Sequence, residues 1–158
     1  MKRCLFPGSF DPFTKGHEAV IAKSLSLFDE IIIGVGVNST KQYMFTLEKR
    51  IAHIESLFEG KTNVRVGHFQ TLTVNYCKEI GAQYLLRGIR SASDFEYEKT
   101  IAHLNHTMES EIETILMLSP PEYSSISSTI VREIIIGKGD VSKFVPIEIV
   151  NGLSCHKV

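Results

Sequence analysis

Residues 3–17 read Arg-Cys-Leu-Phe-Pro-Gly-Ser-Phe-Asp-Pro-Phe-Thr-Lys-Gly-His. Arg3–Pro7 is a short apolar run closed by a proline and Gly8, the pattern of a buried strand. Beyond Gly16 and His17 the period changes: Ile21, Leu25 and Phe28 fall at i, i+4 and i+7, as on one face of a helix. Strand, glycine-bearing loop and helix in that order begin a βαβ unit.

The same alternation runs outward along the chain. Ile31–Val37, Val64–Gly67, Tyr84–Leu86 and Ile115–Leu118 predict further strands, each short, apolar and mostly β-branched or leucine. Leu47, Ile51, Ile54 and Phe58 predict a helix behind Thr46 as N-cap. Tyr97, Ile101, Leu104 and Met108 predict another, and a weaker helix is expected from Thr73 to Ile80, stopped by Gly81. Strands buried on both faces imply a parallel sheet with right-handed crossovers. The expectation is an α/β fold: a Rossmann-like, doubly wound, five-stranded parallel sheet with helices on both faces, forming one domain over residues 1–158. Ligands of such sheets bind beyond the carboxyl ends of the strands, so residues there are the candidates.

Composition narrows the partners. With 17 Lys+Arg against 18 Asp+Glu the formal charge is −1, which argues against a surface built to coat nucleic acid or an anionic membrane. Charged residues at 22% and hydrophobic residues at 43% are globular values that exclude disorder. The longest apolar run, Ile31–Val37, is far shorter than the roughly 20 residues of a spanning helix. Met1-Lys2-Arg3 could open a signal peptide, but Pro7, Gly8 and Asp11 break the apolar stretch. Cys4, Cys77 and Cys155 are odd in number and widely spaced, which fits a reduced, cytoplasmic protein.

Several strand-end residues carry chemistry suited to phosphates. Gly8 lets the backbone turn close to a ligand, and Ser9 offers a hydroxyl beside it. Gly16 and His17 stand at a helix start, where unpaired N–H groups favour an anion and an imidazole can donate to it. Read alone, the loop is equally a plain connection with Asp11-Pro12 as turn former. Lys41 follows the second strand on the polar loop Asn38-Ser-Thr-Lys-Gln and could reach a phosphate, or simply be solvated. Arg87-Gly88-Ile89-Arg90 follows the fourth strand and offers two guanidinium forks around a small residue. Glu98, next to Tyr97, sits at the edge of an apolar seam within an acid-rich segment. Tyr123-Ser124-Ser125-Ile126-Ser127-Ser128-Thr129 leads into a helix, and its serines suit an N-cap or a phosphate site alike. Gly34-Val-Gly36 lies within a strand and is no dinucleotide fingerprint. His103 and His106 share a helix face without an obvious third ligand, and no metal-binding residue is identified.

The stretch Gly8–His17, with Thr14-Lys-Gly-His17, resembles the signature of the phosphopantetheine adenylyltransferases, within the nucleotidyltransferases marked by Thr/His-x-Gly-His. The resemblance continues through Lys41, Met44-Phe-Thr-Leu-Glu48, Arg87-Gly-Ile-Arg90, Asp94-Phe-Glu-Tyr-Glu98 and Ile126-Ser-Ser-Thr129, nearly the whole chain. It implies transfer of AMP from ATP to 4′-phosphopantetheine, in coenzyme A biosynthesis. His17, Lys41 and Arg90 would then be catalytic, and Ser9, Lys41, Thr73 and Arg87 would hold phosphopantetheine. Ser9, Phe10, His17, Gly88, Ile89, Arg90, Glu98 and Tyr123 through Thr129 would hold ATP. The resemblance further implies Mg²⁺ with the triphosphate, a homohexamer, and coenzyme A as a feedback ligand.

The chain departs from the pattern at Ser9, often Thr in the family, and at Gln42-Tyr43, more often Lys-Pro. The second change removes a charge and a rigid turn, so a more mobile loop or weaker substrate binding is expected. Other readings are a sister enzyme adenylylating nicotinamide mononucleotide or glycerol phosphate, an idle nucleotide- or coenzyme-A-binding regulator, and a nucleic-acid module. Arg87-Gly-Ile-Arg90 with Glu98 favours phosphopantetheine, and the joint presence of Ser9, His17, Lys41 and Arg87 disfavours an idle regulator.

Overall fold

The computed structural model describes residues 1–154; Cys155 lies outside them. Strands β1 (Arg3–Gly8), β2 (Glu30–Gly36), β3 (Val64–Phe69), β4 (Tyr84–Ile89) and β5 (Glu113–Leu118) form one sheet in the order β3-β2-β1-β4-β5. Every neighbouring pair is parallel. The chain lays β2 and β3 outward from β1, then returns to place β4 on the other side of β1. The strand order therefore reverses between β1 and β4, and a crevice opens beyond their carboxyl ends.

The connecting helices are α1 (Lys15–Ser24), α2 (Leu47–Leu57), α3 (Thr73–Ile80), α4 (Ala92–Met108), α5 (Ser128–Ile136) and α6 (Ile147–Ser154), with a 3₁₀ turn at Pro121–Tyr123. Alternation along β1 sends its side chains to opposite faces. Cys4 and Phe6 join Val20, Ile21, Ile31, Ile33 and Ile54 on one face, while Leu5 joins Ile32, Val74, Cys77 and Leu85 on the other. The five strands and four helices expected from periodicity are all present. Thr46 caps α2 by accepting from the Lys49 N–H at 3.3 Å, and α3 ends on Gly81 at φ 67°, a left-handed turn that glycine adopts without strain.

Three expectations need correction, and one element was not foreseen. β4 runs to Ile89, so Arg87, Gly88 and Ile89 are its last residues and only Arg90 follows it. Edge strands β3 and β5 are not buried on both faces; Leu118 of β5 is 69% exposed. Along α4, Tyr97, Leu104 and Met108 point outward at 65%, 54% and 49% exposure, and the one buried residue of that helix is Glu98. Finally, α6 carried no expectation. It follows Pro146 and buries Ile149 completely, with Val145 just before it, in the core that also holds Ile54 of α2.

Candidate active site

β1 delivers the chain into the crevice at Gly8, and the next residues form a tight aromatic knot. Phe10 has φ 47°, a left-handed conformation that costs a non-glycine residue about 1–2 kcal/mol. Its ring lies 5.5 Å from Phe6, 5.2 Å from Phe13 and 5.1 Å, edge-on, from His17. Burial of that ring offsets the backbone cost. It also explains Gly8: a Cβ there would stand 2.8 Å from two Phe10 ring carbons. The glycine makes room for phenylalanine as well as for any ligand.

Thr14 and His17 form a reciprocal cap on α1. The His17 N–H donates to Thr14 Oγ1 at 3.4 Å, while the Thr14 N–H donates to His17 Nδ1 at 3.0 Å. Because Nδ1 accepts, the ring proton resides on Nε2. Burial, reinforced by the charges of Arg90 and Arg87, lowers the His17 pKa to about 3. The imidazole is a neutral donor at physiological pH. The Lys15 N–H is taken by the Phe144 carbonyl at 2.9 Å, which leaves Gly16 as the first-turn amide without a partner among the described residues.

Arg87 is the most constrained cation of the site. Its Nε and Nη2 donate to the two Glu98 carboxylate oxygens at 2.8 and 2.6 Å, and Nη1 donates to the Pro7 carbonyl at 2.7 Å. Glu98 points inward from α4 to meet it, with only 10% of its side chain exposed. Arg90 is fixed similarly: Nε donates to Asp94 Oδ2 at 3.0 Å and Nη1 to the Ile126 carbonyl at 3.0 Å. Burial pushes the Asp94 carboxyl up, but the hydrogen bonds and charge of Arg90 outweigh it and leave its pKa below the usual value. Arg90 thus ties β4 to the segment ahead of α5. There Ser127 is the N-cap, accepting the Ile130 N–H at 3.2 Å, and the Ser128 hydroxyl donates to the Pro12 carbonyl at 2.8 Å. The hydroxyls of Ser127 and Ser128, which looked equally fit for capping or for phosphate, are engaged within the chain.

Two cavities adjoin here. One, of about 420 Å³, is lined by Gly8, Phe10, His17, Lys41, Arg87, Gly88, Arg90, Glu98 and Ile126 through Ser128. The other, of about 470 Å³, is lined by Ser9, Asn38, Lys41, Tyr43, Phe69, Thr73, Arg87 and Tyr97. Lys41 and Arg87 border both, and Lys41 Nζ lies 3.5 Å from Ser9 Oγ. Of the residues expected at the site, Ile89, Tyr123, Ser124, Ser125 and Thr129 line neither cavity. Ile89 is buried in β4; Thr129 is exposed and accepts from Arg132 at 3.2 Å.

Two buried charges escaped the sequence reading. Asp11 is 3% exposed and its carboxylate accepts the Met44 and Phe45 N–H groups at 2.8 and 2.9 Å. Arg50 of α2 is 2% exposed and its Nη1 donates to the Ser9 and Gly36 carbonyls at 2.7 and 3.3 Å. The sequence signal was slight: an Asp before proline and an Arg on the apolar side of α2. Among the described residues no His/Cys/Asp/Glu cluster could hold a metal, and the exposed His106 lies 3.9 Å from the Glu113 carboxylate.

A crevice at a strand-order reversal, lined by cations, a neutral histidine and two helix starts, defines a nucleotidyltransferase-type site, and the cytidylyltransferase-like family profile matches residues 5–134. A solved structure provisionally described as a nicotinate-nucleotide adenylyltransferase from Vibrio parahaemolyticus shares the fold, with TM-score 0.69 at 22% identity over 94% of this chain and 96% of that one. The phosphopantetheine adenylyltransferase of Flavobacterium psychrophilum is 49% identical over 92% of this chain and 96% of its own. That of Cytophaga hutchinsonii is 47% identical over 94% and 99%. The chain belongs to the phosphopantetheine adenylyltransferase family.

Proposed function

We propose that this chain transfers AMP from ATP to 4′-phosphopantetheine, forming dephospho-coenzyme A and pyrophosphate. The observation that carries this reading is the pair of cavities meeting along Lys41 and Arg87: one site for a nucleotide, one for an acceptor, with cations on the shared wall. A phosphate oxygen of the acceptor attacks the α-phosphorus, the bond to the bridging oxygen breaks, and pyrophosphate leaves with that electron pair. The acceptor phosphate is already a nucleophile, so catalysis is positioning and charge stabilisation.

In this reading the His17 Nε2–H donates to an α-phosphate oxygen as charge develops there. Lys41 and Arg87 orient the incoming phosphate. Arg90, the Gly16 amide and the backbone at Ser127–Ser128 hold the nucleotide phosphates. Glu98 acts on Arg87, since its two oxygens are occupied by that guanidinium. Both carboxylates of the nucleotide cavity are arginine-paired, so Mg²⁺ would enter with the triphosphate, whose charge it neutralises. Coenzyme A shares the pantetheine arm with the product and would enter the same cavities as a feedback ligand. The outward apolar stripe of α4 supports assembly of copies, with a homohexamer as the proposed form in the cytoplasm. Among the described residues no helix is long and apolar enough to cross a membrane.

The test is direct: incubate protein, ATP and Mg²⁺ with 4′-phosphopantetheine, nicotinamide mononucleotide or glycerol phosphate, and measure pyrophosphate and adenylylated product. Dephospho-coenzyme A formed in preference to the other products is expected. Turnover of another acceptor in its place would overturn the assignment.

A further inference from the structure

Lys41 stands on an exposed loop, yet it must meet a phosphate at a fixed point if the reading above holds. The loop is built around Tyr43. Its hydroxyl accepts the Asn38 N–H at 2.8 Å, closing the segment on itself. Inside that closure Asn38 Oδ1 accepts from the Thr40 N–H at 2.9 Å, and the Lys41 N–H donates to the Asn38 carbonyl at 3.1 Å. The face of the Tyr43 ring lies 4.0 Å from the Arg50 guanidinium carbon. Arg50 is pinned to the Ser9 and Gly36 carbonyls, the carboxyl ends of β1 and β2. Lys41 Nζ lies 5.8 Å from the centre of the same ring. The loop thus has an aromatic ring seated on a buried cation that is itself fixed to the sheet.

We propose that Tyr43 is a positioning residue for the acceptor phosphate: stacked on Arg50 and bonded to Asn38, it holds Lys41 on the wall shared by the two cavities. The proposal rests on the reading of Lys41 as a ligand of the acceptor phosphate. Tyr43 also lines the acceptor-side cavity, so its loss affects that substrate before the nucleotide. The ring–guanidinium contact and the hydroxyl bond are separable: phenylalanine keeps the first and loses the second.

The experiment is steady-state kinetics on Tyr43→Ala, Tyr43→Phe, Lys41→Ala and the Tyr43→Ala/Lys41→Ala pair, varying each substrate at saturation of the other. Tyr43→Ala is expected to raise KM for 4′-phosphopantetheine about tenfold, with KM for ATP changed less than about twofold. Tyr43→Phe should lose about threefold, and it carries the test if the alanine variant does not fold. On the Lys41→Ala background, Tyr43→Ala should add less than about twofold, because its effect passes through Lys41. Equal rises in both KM values, or a full additive loss in the double variant, would overturn the positioning role. An unchanged acceptor KM in Lys41→Ala alone would instead overturn the underlying reading of Lys41.

Discussion

On the nucleotide side, the cation and the histidine belong to regular elements or stand immediately beyond them. Arg90 stands one residue past β4 and His17 is in the first turn of α1, while Arg87, on the wall shared with the acceptor side, lies within β4. On the acceptor side, Lys41 stands on a loop five residues beyond β2 and takes its place from side chains: Tyr43 of the same loop, and Arg50 and Asp11 from elsewhere. Regular elements carry the first set, and a small assembly of side chains steers the loop that carries the second. Substitutions on the nucleotide side should therefore remove chemistry while leaving geometry intact, whereas substitutions on the acceptor side should loosen geometry and surface in KM.

The sharpest test of that division is His17→Ala. Removing a donor aimed at developing charge should lower kcat by about 10²-fold or more, with little change in either KM. Near-normal turnover would break the comparison at its strongest point. Lys41→Ala comes next: calorimetry should show about a 30-fold loss in 4′-phosphopantetheine affinity, the scale of one charge-assisted hydrogen bond, while ATP binding changes little. Equal losses for both ligands would erase the distinction between the cavities. Glu98→Gln should be milder. It leaves Arg87 with one good acceptor and an uncompensated charge, and kcat/KM for the acceptor should fall about tenfold. A larger loss for ATP would place Glu98 on the nucleotide instead.

The smallest effect concerns pH. With a folded pKa of about 3 against an ordinary 6.5, His17 stays neutral through the physiological range. It should therefore contribute no limb near pH 6.5 to the kcat profile, and its ring carbons should show no NMR titration there. The unfolded chain takes up that proton and the folded chain does not. The stability His17 contributes is thus present above about pH 6.5 and falls away as pH drops toward 3. A titration midpoint near 6.5 in the folded protein would mean that burial and the two arginines do not keep the imidazole from protonating.

Much of this was legible in the residues. Short apolar runs marked the five strands, and Gly16 and His17 were placed at a helix start before a helical period. What escaped was whatever depended on distant partners. Arg50 bonds the carbonyl of Ser9, 41 residues away, and Asp11 bonds amides 33 and 34 residues away; neither contact follows a local period. The stripe on α4 was visible but misassigned. Periodicity shows that a helix has an apolar face, and it is silent on whether that face meets the core of the same chain. Here Glu98 took the inward position because Arg87 was there to receive it.

Asp11 has one more consequence. Its carboxylate fastens the amides of Met44 and Phe45 to the loop that leaves the central strand. The stretch between β2 and α2, irregular as it is, cannot peel away by itself; releasing those amides strands a buried carboxylate. Opening it at Met44 and Phe45 means disturbing the loop after β1 as well, so those two amides are expected to exchange with solvent on the sheet's terms.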